Sequence, residues 1–126
     1  MGREVLRTDD APSSALYAQG TKRGPIVCVS GMVGIDPASG QLAGPGIQEQ
    51  TRQALTNCSA VLEAGGATLD DVMEVGVLLT EPDDFAGMNE AYAEVFATDP
   101  PARYVARLGV VLPGILVSIR MTAVTG

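Results

Sequence analysis

The chain has 126 residues, of which 46% are hydrophobic and 18% charged, and its net charge is −7. This length and composition predict a single globular domain over residues 1–126 and exclude a disordered chain. The acidic balance argues against nucleic acid as a partner, because binding along a phosphate backbone requires a positive surface.

The first third of the chain is rich in turn signals. Residues 1–14 form a polar lead-in with one short strand expected around Val5. They contain no apolar signal segment, and no run approaches the length of a membrane span, so we expect a cytoplasmic protein that does not contact membranes. The segments SALYAQG and PIVCVSG predict two strands joined by the turn GTKRGP. Residues 35–46 predict a loop in which Asp36 is a turn residue.

Two helices and three more strands follow. Apolar residues recur at helical spacing over residues 47–64, and Gly65-Gly66 ends this helix. Residues 70–80 alternate as a strand, and Pro82 then opens a second helix whose apolar stripe is Phe85, Met88, Tyr92, Val95 and Phe96. The segments RYVARL and ILVSIRMTAV predict the last two strands. The order β-β-α-β-α-β-β predicts an α+β fold with two helices on one face of a mixed sheet.

The last predicted strand has two different faces. One row is apolar throughout, and the other mixes apolar residues with Ser118, Arg120 and Thr122. The mixed row is typical of a subunit interface or a ligand cleft. We therefore expect a homo-oligomer that covers the second face of the sheet.

The positive charges of the C-terminal region stand out in an acidic chain. Residues 1–99 have a net charge of −10, whereas residues 100–126 contain three arginines and no acid. In an extended RYVARL segment, Arg103 and Arg107 share a side and Tyr104 takes the other. These arginines either bind an anionic ligand or pair with carboxylates of a neighbouring helix or subunit, and the pattern alone leaves both interpretations open.

Several kinds of catalysis are excluded by composition. The chain has no histidine, so an ordinary Ser-His-Asp or Cys-His arrangement cannot form. Its two cysteines, Cys28 and Cys58, lack metal-ligand spacing, and we expect no metal site and two small buried thiols.

Five segments taken together are more specific than any single motif. ALYAQG, VSGMVGIDPASGQL, EQTRQALTNCSAVLEAGGATLDDV, LLTEPDDFAGMNEAYAEVF and PPAR resemble, in order and spacing, the Rid family of reactive intermediate (imine) deaminases. The resemblance runs from about Ala11 to the C-terminus. It implies a chorismate-mutase-like α+β fold, a homotrimer with ligand clefts between subunits, and cofactor-free hydrolysis of 2-imino or 2-enamino acids to 2-oxo acids and ammonia.

The resemblance also implies a set of site residues. Arg103 matches the arginine that pairs with the substrate carboxylate, and we expect Arg107 to brace the interface. The other substrate-binding positions carried over are Tyr17, Ser30, Gly31, Asn89 and the backbone of Tyr104 and Val105.

One departure from the family pattern concerns the chemistry directly. Deaminating members commonly read ALVEIEAIAV in the last strand, and this chain reads ILVSIRMTAV. Ser118 therefore takes the catalytic position of the glutamate that holds the attacking water, and Arg120 takes the position of the second glutamate. Serine cannot exchange a proton at neutral pH as a carboxylate does. Arg120 either adds a second positive charge near Arg103, which favours a ligand with two acidic groups or phosphate, or pairs with an acid across the trimer interface.

Three functions remain open from the sequence. The first is a weakened or retuned imine deaminase acting on a small carboxylate. The second is a non-catalytic trimeric binder of small anionic metabolites, and the third is a Rid-like protein recruited to other chemistry in a biosynthetic pathway.

Overall fold

The chain forms one six-stranded mixed sheet and two helices, seen in a computed structural model that describes residues 2–126. The strands are β1 (Glu4–Leu6), β2 (Gly20–Arg23), β3 (Ile26–Val33), β4 (Val72–Leu79), β5 (Ala102–Arg107) and β6 (Val117–Val124). The helices are α1 (Ile47–Ala64) and α2 (Phe85–Val95). The strand order is β1-β2-β3-β6-β4-β5, and the β4–β5 pair is parallel while the other pairs are antiparallel. The α+β architecture predicted from the sequence is confirmed.

The core lies between the helices and one face of the sheet. Helix α1 buries an apolar stripe that includes Leu55, Cys58 and Leu62, each at most 1% exposed. This stripe packs on alternate residues of the central strands, such as Ile119 and Met121 of β6, which are fully buried. The helical and strand periodicities of the sequence thus meet in one layer contact.

Both ends of α1 are fixed by hydrogen bonds that involve side chains. The backbone N–H of Gly46 donates to Oε1 of Glu49 at 3.2 Å at the start of the helix. At its end the Lys22 ammonium donates to the carbonyl of Gly65 at 2.8 Å, and Gly66 has a positive φ of 77°. No helix within residues 2–126 combines the length and hydropathy needed to cross a membrane.

The first hairpin differs from the sequence prediction. Residues 14–19 are irregular, so the strand predicted over SALYAQG is wrong, and the predicted turn GTKRGP largely becomes β2. The hydroxyl of Ser14 accepts the N–H of Leu16 at 3.1 Å, a local turn that competes with extended backbone. The actual turn is Gly24-Pro25, where the positive φ of Gly24, 58°, permits a two-residue connection.

A buried glutamine joins the loops at one end of the sheet. Gln50 is fully buried, and its Nε2 donates to the carbonyls of Gly44 and Gly114 at 3.1 and 2.9 Å. Its Oε1 accepts the N–H of Leu116 at 2.9 Å. All of the polar atoms of this amide are therefore used, and the start of β6 is held against α1 and the loop before it.

The second face of the sheet carries no helix. On β6 the residues of this face are Ser118, Arg120, Thr122 and Val124, and they alternate with fully buried residues of the opposite row. We call this surface the open face. Tyr104 on β5 and Ile26 on β3 expose 46% and 48% of their surface.

Candidate active site

Strand β5 lies at the edge of the sheet, and its side chains divide between the two faces. Val105 packs against the core beneath the helices, so Arg103 and Arg107 share the helix side and Tyr104 lies on the open face. The N–H of Leu108 donates to the carbonyl of Leu79, which fixes the phase of the backbone. By alternation, the peptide groups of Arg103 and Val105 point to the unpaired edge, and those of Tyr104 point to β4.

The Arg103 guanidinium is held by neutral groups of α2. Its Nη1 donates to Oδ1 of Asn89 at 2.8 Å. Its Cζ lies 4.8 Å from the ring centroid of Tyr92 and 6.0 Å from that of Phe85, distances typical of cation–π contacts. Phe85, Asn89 and Tyr92 follow one another at helical spacing, so a single face of α2 forms the base beneath the arginine.

No carboxylate of the described chain neutralises Arg103. Within residues 2–126 the ion pairs are Arg52 with Glu94 at 2.9 Å and Arg120 with Glu74 at 3.6 Å. Burial raises the pKa of the Tyr92 phenol, and the charge of Arg103 acts in the opposite direction. Arg103 is therefore oriented by Asn89 and the two aromatic rings while its charge stays available to an anion.

A second group of the predicted residues lies on the open face. Tyr17, Ser30 and Arg120 line one cavity of about 390 Å³ between the loop before β2 and the strands β3 and β6. The Ser30 hydroxyl donates to the carbonyl of Ala18 at 2.5 Å, which fixes the loop that carries Tyr17. Tyr17 itself is 56% exposed.

Gly31 and Ser118 are neighbours across strands β3 and β6. The register between these strands shifts at residues 30 and 31, a β-bulge that brings residue 31 beside Ser118. A Cβ atom at residue 31 would lie 2.9 Å from Oγ of Ser118, which is closer than Cβ atoms approach non-bonded neighbours in proteins. Gly31 therefore keeps the space beside this hydroxyl free.

Arg120 has its partners within its own chain. Its Nη2 donates to Oγ1 of Thr122 at 2.6 Å, and its Nη1 lies 3.6 Å from Oε1 of Glu74 on the neighbouring strand β4. The acid beside Arg120 thus comes from the same chain, a partner that neither interpretation of the sequence included.

The two groups do not meet within one chain. Arg103 and Asn89 lie on the helix side at the β5 edge, whereas Tyr17, Ser30, Gly31, Ser118 and Arg120 lie on the open face. Ser30 on β3 is three strand positions from Arg103 on β5, a separation of about 14 Å across the sheet. Arg120 therefore does not add its charge beside Arg103 within one chain.

Sequence reasoning placed two residues of this region only in the core. Phe85 and Tyr92 were expected as members of a buried apolar stripe, yet both also contact the Arg103 guanidinium. Their spacing with Asn89, at positions i, i+4 and i+7, is the sequence feature that indicates this shared face. No sequence feature indicates that Arg3 lines the open-face cavity.

The thiols differ from each other. Cys58 is fully buried, as expected, but Cys28 is only partly buried and lines the open-face cavity. The expectation of two buried thiols is therefore wrong for Cys28, because residue 28 pairs with Thr21 and Thr122 on the face that no helix covers.

Comparison with known proteins gives the same family along nearly the whole chain. The Endoribonuclease L-PSP family matches residues 8–125. The 2-iminobutanoate/2-iminopropanoate deaminase of Mus musculus is 36% identical over 125 residues, which cover 98% of this chain and 93% of the mouse protein. A Rid protein family member from Yersinia pestis has a TM-score of 0.91 at 32% identity, with 98% and 100% of the two chains covered. The structure of E. coli TdcF with bound serine has a TM-score of 0.91 at 28% identity, with 98% and 99% covered. The chain therefore belongs to the Rid family, within the Endoribonuclease L-PSP group of proteins.

Proposed function

We propose that this protein hydrolyses small 2-imino acids to 2-oxo acids and ammonia in clefts between the subunits of a homotrimer. In this reaction water adds to the imine carbon, the carbon–nitrogen bond breaks, and the nitrogen leaves as ammonia. No electrons are exchanged with an external group, so the reaction needs no redox cofactor. The mouse relative, a 2-iminobutanoate/2-iminopropanoate deaminase, is named for an activity of this class.

The observation that carries the proposal is the state of Arg103. A guanidinium oriented by Asn89 and Tyr92, without a carboxylate partner in residues 2–126, is prepared for a bidentate pair with a substrate carboxylate. Such a pair fixes the neighbouring imine carbon relative to the protein. The serine bound to E. coli TdcF is likewise a small carboxylate with nitrogen on its α-carbon.

The positions of the two halves support the assembly of the site from two subunits. Arg103 lies on the helix side of the β5 edge, and Tyr17, Gly31 and Ser118 lie on the open face, so one ligand cannot contact both within one chain. An open face with Tyr104 46% exposed and a loop with Val111 88% exposed supply the apolar surface that subunit contacts bury.

With serine at position 118, the reaction at this site is slower than it would be with a carboxylate there. The Ser118 hydroxyl, with the space beside it kept free by Gly31, positions the attacking water but does not remove its proton. Loss of a general base costs about 10² to 10⁴ in rate. We therefore expect a deaminase that exceeds the spontaneous rate by a smaller factor than its glutamate-bearing relatives.

A second candidate is a trimer that binds small carboxylates without turning them over. The observation that favours it is the positive charge beside Ser118. Arg120 occupies the next position on the same face of β6. Its acid partner, Glu74, lies on β4 opposite Thr122 rather than opposite Ser118. Ribonuclease activity is not part of either proposal, because the chain has no histidine and a net charge of −7 opposes RNA binding.

The experiment is ammonia release from 2-iminopropanoate and 2-iminobutanoate, generated in place by an amino-acid oxidase. We expect acceleration over the spontaneous rate with the wild type and its loss in Arg103→Ala. Arg52→Ala, which removes an exposed arginine paired with Glu94, is the matched control and keeps the wild-type rate. Asn89→Asp is a second probe, because it places a carboxylate beside Arg103 and competes with the substrate.

The outcomes separate the candidates. Acceleration that Arg103→Ala leaves intact contradicts the assignment of Arg103. No acceleration by a folded wild type, together with Arg103-dependent binding of 2-oxobutanoate by calorimetry, supports the binder. A strong gain in Ser118→Glu shows that position 118 contacts the attacking water.

A further inference from the structure

The lining of the open-face cavity is positively charged, in contrast to the net charge of the chain. Its nine lining residues include two arginines, Arg3 and Arg120, and no acidic residue. The remaining lining is apolar or neutral and includes Thr21 and Cys28. In a chain with a net charge of −7, a cavity of about 390 Å³ with this lining attracts anions.

The carboxylate partner of Arg120 holds it weakly. The distance from its Nη1 to Oε1 of Glu74, 3.6 Å, is too long for a direct hydrogen bond. The two side chains are 35% and 53% exposed, so solvent screens the pair. Its hydrogen bond goes to the hydroxyl of Thr122 and uses Nη2 alone. The planar guanidinium can therefore exchange a loose partner for a bidentate carboxylate.

The cavity shares two residues with the proposed substrate site. Tyr17 and Ser30, which belong to the substrate-binding set, also line the cavity. Ser118 precedes Arg120 by two residues on the same face of β6, about 6.8 Å along the strand. Arg120 is therefore within reach of the side chain of a substrate whose imine carbon lies near Ser118.

We propose that Arg120, supported by Arg3, binds a second carboxylate, so that the preferred substrates are the imines of amino dicarboxylic acids, such as 2-iminosuccinate and 2-iminoglutarate. This inference rests on the proposed function for the reaction, but the binding of the second carboxylate can be measured without it. Arg103 of one subunit takes the carboxylate next to the imine, and Arg120 of the other takes the distal one. The chemistry at the imine carbon is unchanged.

The first test compares kcat/KM for 2-iminoglutarate and 2-iminobutanoate. We expect the wild type to favour the dicarboxylate and Arg120→Gln to lower that preference by about tenfold or more, as loss of a charge-assisted pair predicts. Arg52→Gln is the matched control and keeps the preference. A preference that is the same in the wild type and in Arg120→Gln overturns the inference while leaving the deaminase proposal intact.

Glu74 gives a test with the opposite sign. If Glu74 competes for Arg120, Glu74→Gln releases the guanidinium and raises the preference for the dicarboxylate. If the pair serves only the fold, Glu74→Gln and Arg120→Gln both lower stability and neither changes the preference, which overturns the inference. Arg120→Lys keeps the charge without the bidentate geometry and retains part of the preference, which guards against a misfolded Arg120→Gln.

A binding measurement keeps the two proposals separate. Calorimetry with 2-oxoglutarate and 2-oxobutanoate measures carboxylate recognition whether or not the protein turns over imines. Tighter binding of 2-oxoglutarate that depends on Arg120 supports the second-carboxylate site even if no ammonia is released. Equal binding of both acids, or a preference that survives Arg120→Gln, contradicts it.

Discussion

At the scale of single residues, Cys58 shows how burial silences a reactive group. Its side chain is fully buried under α1, and its thiol contacts the carbonyl of Ile119 at 3.4 Å. Burial raises the pKa of this thiol to about 12, against the opposing charge of Arg120. Because the thiolate is the nucleophile, Cys58 has no part in the chemistry of the native protein.

This environment predicts both reactivity and pH dependence. A Cys28→Ser variant, which leaves Cys58 as its one cysteine, reacts with a thiol reagent only as fast as the folded protein opens, and at once in guanidinium chloride.

The same thiol makes the stability of the fold depend on pH. Because the pKa of Cys58 is raised in the folded protein, its contribution to the free energy of unfolding is present below the unfolded pKa of about 8.5 and is lost as the pH rises toward about 12. The free energy of unfolding should therefore fall over this range, and less so in Cys58→Ala. Rapid labelling under native conditions would show that the thiol is accessible.

At the scale of elements, the β4–β5 pair depends on a glycine. Tyr104 lies across Gly76, and a Cβ at residue 76 would lie within 2.5 Å of the Tyr104 Cζ. Because β5 is an edge strand held by β4 alone, this contact on the open face helps to set the position of the strand that carries Arg103.

We expect Gly76→Ala to lower the free energy of unfolding by about 1–3 kcal/mol through overpacking. The cost should largely disappear in a Tyr104→Ala background, because the clashing ring is then absent. A double-mutant cycle measured by denaturant unfolding gives the coupling between the two positions. An equal cost of Gly76→Ala in both backgrounds would place the strain elsewhere in the strand pair.

The elements also show what a sequence can predict. Long periodic segments such as 47–64 came out as expected, because burial of one face selects one periodicity. The strand around SALYAQG did not. Ser14 binds a local backbone N–H there, and Gln19 binds the carbonyls of Thr8 and Ala11 in the preceding segment, and such side-chain bonds leave no periodic signal. The partner of Arg120 was equally beyond reach, since the neighbourhood of Glu74 depends on the β4–β6 register.

At the scale of the whole molecule, the candidate site has two halves on opposite faces of one sheet. The orientation of Arg103 by α2 and the space beside Ser118 are each complete in a single chain. Their combination around one ligand requires a second subunit, and a closed ring of identical subunits supplies it at every interface. The proposed reaction and the proposed homotrimer are therefore one structural hypothesis.

Mixing two inactive variants tests this hypothesis. Arg103→Ala removes the carboxylate-binding half, and Gly31→Val blocks the space beside Ser118. When the variants are refolded together in equal amounts, about a quarter of the interfaces combine two intact halves in a closed ring. We therefore expect about a quarter of the wild-type ammonia release, or of the wild-type binding sites for 2-oxobutanoate by calorimetry.

Variants refolded separately and then combined are the control and stay inactive. A refolded mixture without recovery would mean that both halves act within one chain, and sedimentation at the mass of a monomer would exclude the shared cleft.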